Sequence, residues 1–385
     1  MATQASFKGP VNTVFAAAAI GVGVSLAIVA VALFTRGHAA FNTTSQGPLS
    51  WGLPIVTYDY FLLASTGLAF VASLALAFGV RDFYPIARRC VWLALATAAA
   101  AVVALTLELG HPLRAFWAIP LSFQYLSPLF WKPFFIAAYG VLLLVVFNRM
   151  TRPGWDYAAN RGLGVALFVA AVAVALNAGA VFGMMAMRPF WYGPLIPVYF
   201  LAESFLSGVA FAMLVTYLAY GLDPKAMPDK ARALLTGAMP GIFAAALAVV
   251  IAMVGSRAVT GLWSNAEGLQ AFDWMVGSPL FHLELWVGLV LPLVLMLRPG
   301  SRNQPSMQLA AAVLVLVALF IGRYEFVIGG QVVPLFKGSW VPGFVRYTPS
   351  LTEWMLLLLA LSVAFAVYAF GEKRFDLSAT PGEKR

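Results

Sequence analysis

Ten long apolar runs dominate this chain, at roughly residues 11–34, 53–79, 91–109, 128–148, 163–186, 195–220, 237–258, 279–297, 307–327 and 351–370. Each is long enough to cross the ~30 Å hydrocarbon core of a bilayer as a helix. Lipid offers no water to satisfy backbone N–H and C=O groups, so a spanning segment is either helical or part of a closed barrel, and these runs are too long and continuous for barrel strands. With 62% hydrophobic and 10% charged residues, the expected fold class is an all-α integral membrane protein of about ten transmembrane helices. Met1 to Pro10 carry one lysine and no short apolar core ending in a cleavage site. The first helix therefore reads as retained, not as a signal peptide.

Alternate connections then differ in charge. Lys8, Arg81, Arg88, Arg89, Arg149, Arg152, Arg161, Lys225, Lys230, Arg232, Arg298, Arg302, Lys373, Arg374, Lys384 and Arg385 fall on one side. Arg36, Arg114, Lys132, Arg188, Arg257, Arg323, Lys337 and Arg346 fall on the other. The positive-inside rule places both termini in the cytoplasm, as expected for a multi-pass protein of a bacterial or archaeal cytoplasmic (inner) membrane. The net charge of +9 is thus mostly a topology signal. Nucleic acid is not an expected partner, because no soluble basic domain exists to bind it.

The acids divide by depth. Asp82, Asp156, Asp223, Asp229, Glu372, Asp376 and Glu383 sit in the cytoplasmic loops and tail and read as solvated surface charge. Asp59, Glu108, Glu203, Glu284, Glu325 and Glu353 fall within helices or at their ends, in the outward half, on the side that also carries His38, His111 and His282. A charge near the bilayer centre costs roughly 2.5–3.5 kcal/mol even on the mild insertion scale, so a one-sided cluster requires partners or a purpose. No connection is long enough to form a soluble catalytic domain, so chemistry on a large substrate belongs to partner subunits.

Local repeats suggest an internal duplication. Tyr60-Phe61-Leu62 and Thr66-Gly67-Leu68-Ala69-Phe70 in the second helix are echoed by Tyr199-Phe200-Leu201 and Ser207-Gly208-Val209-Ala210-Phe211 in the sixth. Ser127-Pro128-Leu129-Phe130 opens the fourth helix and Ser278-Pro279-Leu280-Phe281 the eighth. The expected organisation is a first helix with its outer loop (1–50), a four-helix unit (51–190), a second unit of parallel topology (191–330), and an outer loop, tenth helix and cytoplasmic tail (331–385).

Three histidines, none in the cytoplasmic half, cannot ligate a pair of stacked haems, and a single cysteine, Cys90, cannot hold an iron–sulfur cluster. Electrons crossing this chain therefore need a diffusible organic carrier. A quinone fits: its headgroup needs hydrogen-bond partners for two oxygens and a proton route, and its ring needs flat apolar walls. The stretch Glu108 to Trp117 brings acid, imidazole (His111), guanidinium (Arg114) and indole together at a helix end, with Tyr58, Asp59, Tyr60, Tyr125, Trp131 and Lys132 at the same depth. Interfacial anchoring by snorkelling cations and aromatic belts accounts for such residues singly, and that reading stays open.

These residues carry a resemblance. Glu108-Leu109-Gly110-His111-Pro112 through Arg114 and Trp117, then Ser127-Pro128, resembles the helix-three motif of the NrfD/polysulfide-reductase membrane-subunit family. Arg188-Pro189-Phe190-Trp191 with Pro194-Leu195 is similar to that family's loop between helices five and six. Arg323 through Gln331, then Tyr347-Thr348-Pro349-Ser350 and Glu353, is similar to the closing region of its longer, ten-helix branch. His111 departs from the pattern, since many members have Arg there. The resemblance implies a haem-free anchor that is not itself the catalyst for the final substrate. It would exchange electrons between quinone (menaquinone or ubiquinone) and a ferredoxin-like iron–sulfur subunit on the outward face, which serves a molybdopterin catalytic subunit. A sulfur compound such as polysulfide, tetrathionate, thiosulfate or sulfite is the expected substrate, in anaerobic respiration. The quinone site implied is Tyr58, Asp59, Tyr60, Glu108, His111, Arg114, Trp117, Tyr125 and Trp131.

Glu203, His282, Glu284, Arg323 and Glu325 form a second polar set, read either as a proton path or as a buried ion network. Arg323 and Glu325 are two apart on a helix and so need different partners. Other readings of the whole chain are a secondary transporter or proton-translocating subunit, or the anchor of a hydrogenase or multi-haem cytochrome complex.

Overall fold

A computed structural model describes residues 11–43, 49–152, 154–264, 268–334 and 343–380. Lys8, Lys337, Glu383, Lys384 and Arg385, counted above for charge, lie outside the described residues. Ten helices among those described are long and apolar enough to span a bilayer: α1 Val11–Ala40, α2 Leu53–Leu76, α3 Arg81–Glu108, α4 Pro128–Thr151, α5 Tyr157–Gly183, α6 Leu195–Ala219, α7 Asp229–Trp263, α8 Pro279–Leu297, α9 Pro305–Gly329 and α10 Leu351–Arg374. The protein is an all-α, multi-pass membrane protein. With ten spans among the described residues, the start of α1 and the end of α10 lie at one end of the bundle, here named for Arg88. The other is the His111 end.

Helix starts follow the local sequence. Proline occupies the first turn of α2, α4, α8 and α9, where its missing N–H costs no hydrogen bond. Asp156 caps α5 through the Ala159 amide at 2.9 Å. Ser350 and Glu353 form a reciprocal capping box on α10. Two irregularities escape the hydropathy pattern: a short helix at Pro112–Leu121 in the connection from α3 to α4, and a π-helical stretch, Leu283–Val290, inside α8.

α2 packs against α3, α5, α6 and α9, α4 against α3 and α5, α6 also against α5, α7 and α9, and α8 against α7 and α9; α1 pairs with α10, which leans on α3. The tightest approach is where α2 crosses α6. Gly67 sits so close there that a Cβ would stand 1.8 Å from the Ser204 carbonyl oxygen, and one on Gly208 would stand 2.0 Å from the Gly67 carbonyl carbon. Small residues permit this approach, and Thr66 and Ser204 share a hydroxyl hydrogen bond (2.7 Å) across it. Since α2 is enclosed on all sides, almost every side chain along it is buried.

At the Arg88 end one expectation is overturned. Glu372, read as solvated, has a 4% exposed side chain that accepts from Arg89 Nε at 3.1 Å and from the Tyr368 hydroxyl. Arg88 donates to the Met150 and Asp376 carbonyls. These arginines are inward pins for α10 and the tail, because the α1–α10 pair closes over the start of α3. At the His111 end a polar clasp joins the outer segments. Tyr347 donates to Glu353 (2.6 Å) and accepts from the Leu53 amide (2.7 Å). Gln331 Oε1 accepts from the Ser50 (2.8 Å) and Trp51 (3.0 Å) amides. Trp191, wedged against Gly330, donates to the Phe326 carbonyl at 2.7 Å. The motifs around residues 188–191, 331 and 347–353 thus have a packing role.

Candidate functional site

The second turn of α2 carries Tyr58 and Asp59 into the bundle near the His111 end, and both are 0% exposed. Neither carboxylate oxygen of Asp59 has a hydrogen-bond partner among the described residues, and neither does the Tyr58 hydroxyl. An enclosed carboxylate without such a partner is costly, by several kcal/mol, and Glu325 shares that condition. Two cations act on Asp59: Lys132 from α4 and Arg323 from α9. The Lys132 ammonium stands 4.6 Å from the centre of the Tyr58 ring and also feels Glu108, at the last turn of α3. His38, which the linear sequence leaves in a loop, donates from Nε2 to the Glu108 carbonyl at 2.7 Å and fixes the end of α3.

The remaining first-set residues are disposed differently. His111, Arg114, Trp117, Tyr125 and Trp131 are exposed. Trp131 donates to the Tyr125 carbonyl (2.8 Å) and stacks on Phe135, making an open aromatic ledge outside the enclosed carboxylate. Tyr60 points away from Tyr58, as helical spacing requires, and packs edge-on against Phe320 of α9 with ring centres 5.3 Å apart. Together with Glu203, Ser207 and Arg323 it borders a cavity of about 10 Å³, room for about one water.

That placement joins what the sequence separates into two sets. Arg323 forms an ion pair with Glu203, lies 3.8 Å from the Phe200 ring centre, and is within electrostatic reach of Asp59. Glu325 points elsewhere. It borders a second cavity, also about 10 Å³, with Tyr199, Arg257, Glu284 and Gly322. The Glu284 carboxylate fills the space left by Gly322, where a Cβ would stand 2.3 Å from its Oε1. Arg257 is the member the sequence reading missed. It lies over the rings of Phe326 (5.0 Å) and Tyr199 (5.1 Å) and donates to the Phe190 carbonyl at 3.3 Å. His282 is exposed and touches Phe281 edge-on instead. Among the described residues no group of three or more His, Cys, Asp or Glu is arranged to hold a metal ion.

A family model described as polysulphide reductase, NrfD, matches residues 41–335. The chain belongs to this family. Its relatives include the Hdr-like menaquinol oxidoreductase integral membrane subunit of Archaeoglobus fulgidus, 24% identical over 358 residues and covering 85% of each chain. A selenate reductase subunit of Mesobacillus selenatarsenatis is 23% identical, covering 87% of this chain and 89% of its own. A putative dimethyl sulfoxide reductase membrane subunit of Halobacterium salinarum is 23% identical, covering 88% and 86% respectively. The NrfD match begins at Phe41 and ends before α10, so it takes in both polar sets.

Proposed function

We propose that this protein is the quinone-reactive membrane subunit of a respiratory oxidoreductase complex. It passes electrons between quinone or quinol and an iron–sulfur subunit docked at the His111 end, which serves a molybdopterin catalytic subunit acting on a sulfur compound. The relatives' names support the membrane-subunit role: selenate and dimethyl sulfoxide reductase subunits, and one menaquinol oxidoreductase subunit, which favours menaquinone. The observation that carries the headgroup assignment is the enclosed Asp59, without a hydrogen-bond partner among the described residues, beside the Lys132 ammonium. An acceptor and a donor at one place match a headgroup that carries hydroxyls when reduced and carbonyls when oxidised. His111, Arg114, Trp117, Tyr125 and Trp131 then form the outer ledge where the headgroup enters and the partner sits. The Lys and Arg bias supports cytoplasmic termini and an outward His111 end.

The second cluster is proposed as a proton-binding set. Glu203, Glu284, Arg323 and Glu325 surround two water-sized cavities, with His282 at the surface. Residues 51–190 and 191–330 are proposed as parallel duplicated four-helix units, supported by the packing of Gly67 against Gly208, which occupy matching places in the repeated motif.

Affinity purification in mild detergent, with identification of the co-purifying subunits, tests the partner assignment. Iron–sulfur and molybdopterin subunits are expected; recovery of this chain alone would remove it. Binding of a quinone analogue to the complex, with and without Asp59→Asn or His111→Ala, tests the site. Equal affinity in all three would reject it.

A further inference from the structure

We propose that Lys132 is a positioning residue of the headgroup site: held over the Tyr58 ring within the field of both Asp59 and Glu108, its ammonium keeps Asp59 ready to accept a headgroup hydroxyl proton and to release it toward Glu108. This rests on the quinone reading above and deepens it.

The groups that face Asp59 are Tyr58 on its own helix, Lys132 from α4 and Arg323 from α9, with Glu108 of α3 beyond Lys132 and Glu203 of α6 beyond Arg323. Arg323 is committed to Glu203 and to the Phe200 face. Lys132 is placed otherwise: its ammonium rests on an aromatic face, a weak attraction that rotation of a flexible four-carbon stem can exchange for a hydrogen bond.

Asp59 is enclosed, whereas Lys132 and Glu108 are half-buried and lie toward the His111 end. Lys132 is therefore the side chain that spans from the closed interior to the open ledge. Pro128 and Pro133 flank it in the first turns of α4, where fixed φ angles restrict the backbone and leave the mobility in the side chain.

In the quinol-oxidising direction each headgroup O–H bond breaks and a C=O forms. The two electrons pass one at a time to the one-electron acceptor of the iron–sulfur partner, which is reoxidised between them. The two protons leave in turn through the Asp59 carboxylate toward Glu108. In the reducing direction the same protons return along the same groups. The Lys132 ammonium offsets the carboxylate charge between transfers.

The test uses the purified complex carrying Lys132→Met, Lys132→Gln, Lys132→Arg or Asp59→Asn, with kcat and KM followed across pH and analogue affinity measured separately. Lys132→Met and Lys132→Gln should lower kcat about 10- to 100-fold and move the rise of activity to higher pH by about one unit, with analogue affinity nearly kept. Lys132→Arg should restore most of kcat. Wild-type kcat and pH profile in both neutral variants would overturn the role of Lys132 while leaving the site intact if Asp59→Asn is crippled. A fully active, normally binding Asp59→Asn would instead overturn the quinone site itself. Loss of affinity in the neutral variants equal to that in Asp59→Asn, with an unmoved pH profile, would also overturn the positioning role.

Discussion

Gly67→Ala makes the heaviest demand on this architecture. The new Cβ would stand 1.8 Å from the Ser204 carbonyl oxygen where about 3.5 Å is comfortable, so α2 and α6 would have to part by about 1.5 Å at their crossing. The obstruction is backbone, and no side-chain rotation relieves it. Overpacking of this kind costs about 1–3 kcal/mol. Separation also breaks the Thr66–Ser204 hydrogen bond, about 0.6 kcal/mol within a membrane. A loss on the order of 2–4 kcal/mol follows, read as a fall of about 3–8 °C in the thermal midpoint of the detergent-solubilised complex followed by tryptophan fluorescence. Gly23→Ala is the control, since its Cβ would meet nothing within 4 Å, and it should melt as wild type does. Quinone-linked activity should fall with Gly67→Ala, because the same crossing sets Tyr60 against Glu203 and Arg323. A Gly67→Ala protein melting at the wild-type midpoint would refute the packing argument.

Glu203→Gln leaves the Arg323 guanidinium buried without its ion-pair partner, so about 3–5 kcal/mol of stability should be lost. If the second cluster carries protons, proton uptake drops as well; thermal unfolding and pH-dye measurements in vesicles read the two separately. Burial and the neighbouring Glu353 push the Tyr347 phenol above its ordinary range. Its contribution is then complete below about pH 10 and is lost as pH rises toward the higher folded value. Tyr347→Phe should be less stable near neutrality and show a flatter alkaline decline in a pH series of melting curves. Gln331→Ala removes the shared acceptor of the Ser50 and Trp51 amides, about 1–3 kcal/mol for groups left unsatisfied; faster hydrogen exchange at those two amides would report it.

Much of the fold was legible because a bilayer asks only for length and apolarity. The ten runs correspond to ten spans, and Ser-Pro openings mark where α4 and α8 begin. The site was less so. Asp59, Glu203, Glu284, Arg323 and Glu325 stand out since charge within an apolar run is costly wherever it lies. Yet nothing in the local sequence separates an enclosed residue from one on the ledge, and His111, Arg114, Trp117 and Tyr125 proved exposed. Arg257 reads from the sequence only as a topology charge, and the aromatic neighbours Phe326 of Arg257 and Tyr58 of Lys132 are far along the chain. The contact between the two polar sets depends on the α2–α6 crossing, which spacing alone does not reveal. Arg89 and Glu372 are 283 residues apart and pair only because α10 returns onto α3.

We propose that the quinone headgroup is received at Asp59, beside the start of α4 at the His111 end. Photoaffinity labelling of the purified complex with an azidoquinone, followed by mapping of the labelled peptides, tests it most directly. Label should fall in the opening turns of α2 and α4, around Tyr58–Asp59 and Trp131–Lys132, and be suppressed by excess unlabelled quinone and by Asp59→Asn. Competed label confined to α6–α9, or label indifferent to Asp59→Asn, would contradict it.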